Sequence, residues 1–128
     1  MSHFTQIKTK IRDLDCLTLA LDDLGMPYER GQVFIRGYKG NTCSAHLVVR
    51  QGNSHDLGFV WNGQNYELVT DLQYWQQPLT VERFLGKVSQ RYAYHRILAE
   101  ATAKGFNLAK AEQKEDGTLC LTVQRWNR

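Results

Sequence analysis

His95, inside the block Gln90-Arg91-Tyr92-Ala93-Tyr94-His95, is the side chain best suited to acid–base chemistry or ligation, because imidazole titrates near neutral pH. On a helix it shares a side with Val88 and Tyr92, a placement that favours a core histidine bonded to backbone over a catalytic base. Arg83, Lys87, Arg91 and Tyr94 follow one another at i, i+4, i+8 and i+11, within roughly one quadrant of a helix. Such a row would steer an acidic partner, a phosphate backbone or an anionic surface; its plainer reading is a solvated face. The bias is regional: residues 78–104 carry five basic and two acidic groups, and residues 51–77 carry none and three. Lys8, Lys10 and Arg12 repeat at period two. They would share a sheet face if the first strand reached that far, or serve as an edge device against aggregation. Neither basic group is interleaved with a base-stacking aromatic pattern, so the nucleic-acid signal is weak.

The connection Leu72-Gln73-Tyr74-Trp75-Gln76-Gln77-Pro78 is the second place where function could sit. Tyr74 and Trp75 there are either binding anchors or a lid that folds back on the core and staples the entry of the next helix. A third candidate is a small-ligand pocket between sheet and helices, lined by Trp61, Tyr92 and His95. Metal and catalytic signals are poorer. Cys43 and His46, three apart on a strand, point to opposite faces, and His3 with His46 supplies too few ligands for a closed zinc site. No GxSxG, HExxH, P-loop or GxGxxG occurs, and neither Asp71 nor Glu67 has a carboxylate partner at fixed spacing. No catalytic residue, metal or cofactor is expected.

The elements that must position these residues are legible from pattern. Residues 3–9 read as a strand. A helix runs from about Asp13 to Leu24, with Asp13 as N-cap, Leu14, Leu17, Leu21 and Leu24 on one face, and Gly25 then Pro27 as the stop. Strands follow at 32–38, 43–50, 57–61 and 64–70, with turns at Lys39-Gly40-Asn41, at Gln51–Ser54 and at Asn62-Gly63, the last a type I′ signal. The longest helix spans Thr80 to Lys104, with Val81, Phe84, Leu85, Val88, Tyr92, His95 and Ala99 on one side. Strands at 106–114 and 118–125 close the chain around Glu115-Asp116-Gly117, with Leu119, Leu121 and Val123 turned inward. The expectation is an α+β fold: an antiparallel sheet with two helices packed on one face, in the order β-α-β-β-β-β-α-β-β. That order suits a degenerate duplication of a β-α-β-β unit, although identity between the halves is too low to show a repeat.

Size and composition agree. At 128 residues, 42% apolar and 23% charged, the chain suits one soluble domain spanning 1–128. Its net charge of +3 falls short of a nucleic-acid signature. No apolar run approaches the roughly 20 residues of a membrane helix. The start Met1-Ser2-His3-Phe4 looks like neither a signal nor a transit peptide. Cys16, Cys43 and Cys120 form no CxxC and read as small buried thiols of a reducing compartment.

Four segments together, Met1-Ser2-His3-Phe4, Leu21-Asp22-Asp23-Leu24-Gly25, Asp71-Leu72-Gln73-Tyr74-Trp75 and Gln90–His95, resemble the family called hypothetical chloroplast open reading frame thirty-five. The resemblance runs essentially the full length. It implies a cyanobacterial cytoplasm or a plastid stroma, and it implies no activity. The reading that follows is a non-enzymatic accessory or adaptor protein. It would bind a protein partner through Tyr74, Trp75, Arg83, Lys87, Arg91 and Tyr94, with RNA binding or a small-ligand pocket as alternatives. A free sheet edge would also let two copies pair into a dimer.

Overall fold

Leucines at helical spacing behind an Asp cap, and β-branched runs between turn residues, produce the expected elements. The computed structural model describes residues 4–36, 42–53 and 55–125, the side chains of residues 42 and 43 excepted. In chain order these are β1 (Thr5–Lys8), α1 (Leu14–Asp23), β2 (Glu29–Arg36), β3 (Thr42–Val49), β4 (Leu57–Trp61), β5 (Tyr66–Thr70), a 3-10 turn (Leu72–Tyr74), α2 (Val81–Ala103), β6 (Phe106–Gln113) and β7 (Leu119–Arg125). The class is α+β, in the order expected. Strands β1 to β5 form an antiparallel sheet ordered β1-β5-β4-β3-β2, and β6–β7 pair with each other as a separate ribbon.

Both helices lie on one face of the larger sheet. Leu47, Phe59, Leu68 and Ile7 form one row across four strands. Leu17 and Leu21 of α1 and Phe84 and Val88 of α2 pack on that row. The opposite face carries the row Val48, Gly58 and Val69. It is covered by the protein's own β2–β3 hairpin, whose Ile35 and Ala45 close a second cluster over Val48 and Val69. The hairpin bends where its register shifts between Arg30 and Val33, and Gly31 takes φ 119° there.

One buried carboxylate holds the bent hairpin down. In a flat sheet Arg36 would lie roughly 20 Å beyond the Glu29–Val48 pair. Instead its N–H donates to Asp56 Oδ2 at 2.7 Å, and Asp56 N–H donates to Arg36 O at 2.9 Å. Asp56, with a side chain 0% exposed, also accepts from Arg36 Nε and Nη2 and from Arg50 Nη1. Arg50 Nη1 in turn donates to Phe34 O, so the outer edge of β2 is covered by side chains at its Phe34–Arg36 end. Burial pushes the Asp56 carboxyl up, but the hydrogen bonds from Arg36 and Arg50 outweigh it and hold it below the usual carboxylate range.

Several boundaries differ from the sequence expectation for local reasons. β2 begins at Glu29 rather than Gln32, and residues 37–41, with the Lys39-Gly40-Asn41 turn, lie outside the described residues. Asn62 closes a four-residue loop rather than a two-residue turn. Its carboxamide oxygen accepts from Gln64 and Asn65 N–H, and its own N–H donates to Asn65 O, so β5 starts at Tyr66. β1 stops at Lys8 because the Thr9 hydroxyl turns the chain, donating to Tyr66 O and accepting from Ile11 N–H. Lys10 and Arg12 are therefore off the strand. On α2, Ala101 is buried and Ala99 exposed, and on β7 the expected inward Val123 is 38% exposed.

Two stability effects follow. A Cβ on Gly58 would lie 2.5 Å from Ile35 Cδ1 and 2.7 Å from its Cγ1, so Gly58→Ala should cost about 1–3 kcal/mol in urea unfolding. Gly52→Ala, which meets open space, should stay within about 0.5 kcal/mol. Asp56→Asn should cost on the order of 2–4 kcal/mol at neutral pH, the lower part of the range reflecting arginines that still reach solvent. Because the folded carboxyl titrates below the unfolded one, its stabilisation is complete above about pH 5 and fades as pH falls through the lowered value. A pH series of unfolding midpoints should therefore show a shallower acid limb for the Asn variant.

Candidate partner-binding site

The loop 50–56 that anchors the hairpin also grips the aromatic connection. Gln51 is buried; its Nε2 donates to Tyr74 O, and its Oε1 accepts from Gln76 N–H and Gln77 Nε2. Asn53 Nδ2 adds a bond to Tyr74 O at 2.8 Å, and the Tyr74 ring stacks on His55 at 3.9 Å. Trp75 turns toward the core. Its Nε1 donates to Leu79 O at 2.8 Å and its ring meets Phe84 edge-on at 5.3 Å. The geometry of Trp75 is thus that of a lid at the entry of α2, just ahead of the Thr80 cap, whose hydroxyl accepts from Arg83 N–H.

The six residues read from sequence as one surface fall into three groups. Tyr74 and Trp75 belong to the gripped connection. Arg91 and Tyr94 belong to a latch between the helices: Arg91 Nε donates to Asp23 Oδ2 at 2.9 Å, and its guanidinium lies 4.4 Å over the Tyr94 ring. His95 Nε2 reaches the same Asp23 oxygen at 2.6 Å. Burial pushes the Asp23 carboxyl up, but the hydrogen bonds from His95 and Arg91 prevail and leave it below its ordinary range. Arg83 and Lys87 form the third group. Among the described residues neither pairs with an acid, whereas Arg91 and Arg96 of the same helix both do.

The ligand-pocket residues are likewise engaged. Tyr92 OH accepts from the backbone N–H of Arg12 and Asp13 at the start of α1, and Arg96 reaches Asp13 there. His95 holds Asp23 at the other end of α1, so residues 91–96, less than two turns, touch both ends of the first helix. The Trp61 ring packs 5.0 Å from Tyr66 on the β4–β5 hairpin. Cys16 is buried and Cys120 half-buried, and the Cys43 side chain lies outside the described residues. Among the described residues no group of three His, Cys, Asp or Glu is placed to hold a metal, and no helix is long and apolar enough to cross a membrane.

What the sequence did not single out lies beside Lys87. On one side is a mainly apolar slot of about 210 Å³, lined by Leu24, Met26, Pro78, Leu79 and Phe84 together with Gln77 and Lys87. On the other is a polar cleft of about 270 Å³ bounded by Arg83, Gly86, Lys87 and Gln90 and by the Asp116–Gly117 turn of the ribbon. Gln90 ties that turn to the helix by donating to Gly117 O. Gly86 is a helix-interior glycine whose added Cβ would meet nothing within 4 Å. Intramolecular packing gives no reason for it, and it costs about 0.5–1 kcal/mol against alanine. The signal was present in sequence as an isolated glycine inside a helical pattern.

The fold is a small α+β protein with a bent sheet, a latched helix pair and, on α2, Lys87 between two depressions with Arg83 on one of them. The chain belongs to the family described as "Protein of unknown function (DUF1257)", which matches residues 20–122. It is 48% identical over 126 residues to the uncharacterized protein ycf35 of Guillardia theta, covering 98% of each chain. Identity is 42% over 127 residues to the ycf35 protein of Pyropia yezoensis, covering 99% of each, and 41% over 126 residues to that of Cyanophora paradoxa, covering 98% of each. The family resemblance read from those four segments is thereby shown. No solved structure matches the chain.

The latch makes its own prediction. Asp23→Asn should lower stability by about 1 kcal/mol at neutral pH, since all three partners are partly solvated. A lowered carboxyl stabilises above its unfolded value and ceases to as pH falls through its folded one. The deficit measured by urea unfolding should therefore shrink toward zero in acid.

Proposed function

We propose that this protein is a non-enzymatic adaptor that binds an acidic segment of a protein partner on the N-terminal half of α2, in a cyanobacterial cytoplasm or a plastid stroma. Arg83 and Lys87 are the contact cations. Arg91, held by Asp23 and lying over the Tyr94 ring, keeps the helix in place beside them, and Tyr74 and Trp75 fix its entry. The carrying observation is the division of charge along one helix: among the described residues Arg91 and Arg96 are matched by acids, whereas Arg83 and Lys87, one turn apart, and the C-cap Lys104 are not. Like charges at that spacing cost a few tenths of a kcal/mol unless something opposite approaches them. Such a pair supplies orientation and on-rate to an acidic partner.

Selection of a phage-displayed random peptide library on immobilised protein tests this. Acid-rich peptides should be enriched on the wild type. Their affinity by fluorescence anisotropy should fall at least tenfold in Arg83→Glu/Lys87→Glu, with the unfolding midpoint unchanged. Equal binding to the reversed variant, no enrichment of acids, or retention instead of single-stranded RNA with a steep salt dependence would overturn the reading.

A further inference from the structure

Resting on that reading of the α2 cations, we infer that the partner segment is bipartite. A bulky apolar side chain enters the slot under Leu24, Met26 and Phe84, adjacent carboxylates sit on Lys87 and Arg83, and the chain then crosses the helix over Gly86. Three observations carry this. Lys87 lines both depressions, so an anchor in the slot delivers the next residues of its chain onto the cationic ridge. The slot is walled mainly by carbon, yet it opens beside an unmatched ammonium, a combination that suits an apolar residue with acids next to it in sequence. Gly86 is exposed and an added Cβ would meet nothing within 4 Å, so the helix backbone is bare there, which is what a close main-chain approach requires.

The far wall of the cleft sets the order of charges. Asp116 accepts from Thr118 N–H, and this bond holds its carboxyl below the usual range, so the wall stays anionic. Asp116 shares the cleft with Arg83 and Lys87, so acids beyond the few that those two cations match would face its charge. The segment therefore reads apolar anchor, then acids, then neutral or basic residues, in one chain direction or its reverse.

The peptides enriched on the wild type supply the probe. Their apolar residue replaced by Ser should weaken binding at least tenfold, while swapping the position of acids from the anchor's side to the far side should do the same. The chain has only two methionines, so ¹³C-methyl labelling gives two resonances, and that of Met26 should shift on peptide addition together with the Gly86 amide. Gly86→Ala should raise the unfolding midpoint by about 2–5 °C, as better helix propensity dictates, yet weaken the peptide at least fivefold. A more stable, worse-binding variant is an outcome that a purely structural glycine does not produce. If charge reversal at Arg83 and Lys87 abolishes binding while Met26, Gly86 and the apolar residue prove indifferent, the bipartite site falls and the acidic-partner reading stands. If charge reversal changes nothing, both fall.

Discussion

Asp56 is the constraint through which the rest of the molecule is assembled. A carboxylate with no solvent exposure is tolerable only when its lone pairs are filled by donors, and here two arginines and the backbone of Arg36 do so. Those donors come from the end of β2 and from the residue just past β3, so satisfying the charge forces the hairpin to curl over the back of the sheet. Curling brings Ile35 onto Gly58, which is why a glycine sits in the middle of a buried strand. The same loop carries Gln51 and Asn53, whose amides seize the segment 74–77. One ionic cluster thereby sets the back face and the entry angle of α2 together.

The second helix divides by what its polar side chains must do inside the protein. From Arg91 onward, Tyr92, His95 and Arg96 spend their polar atoms on the two ends of α1, whose groups Asp13 and Asp23 are otherwise exposed or half-exposed acids in need of partners. Arg83 and Lys87 lie beyond the reach of α1. Lys87 faces the 24–26 turn, which offers Leu24 and Met26 rather than a carboxylate, and Arg83 faces the cleft shared with the β6–β7 turn.

Much of the fold was legible because local chemistry decided it. Asp13, Thr80, Gly25 and Gly105 punctuate the helices by capping and by positive φ, and both caps accept the bonds their side chains predict. The strands were read within a few residues for the same reason. What pattern could not convey was long-range. Nothing local tells that Arg36 and Arg50 converge on Asp56, because the three are scattered over a hairpin and a loop and meet only when the sheet bends. The reading of Arg83, Lys87, Arg91 and Tyr94 as one face was sound helical geometry, yet spacing alone is blind to Asp23, which sits on another helix. Helical periodicity places residues on a side; it does not reveal what the neighbouring element holds opposite them.

The β6–β7 ribbon shows the same limit and adds a physical point about the cleft. An isolated two-stranded ribbon is marginal in water, and no residue of this one is fully buried. Ile97, 45% exposed, and Val123 mark how loosely its apolar side is covered by α2. Its turn is tethered by the bond from Gln90 to Gly117 O, so the wall bearing Asp116 is the least firmly supported boundary of the cleft. The helix side, by contrast, is built on Phe84 and Val88, both inside the main core. The cleft thus has one firmly supported wall bearing Arg83 and Lys87 and one loosely supported wall bearing Asp116. Local stability of this kind is drawn from the low end of the structure where binding surfaces generally lie.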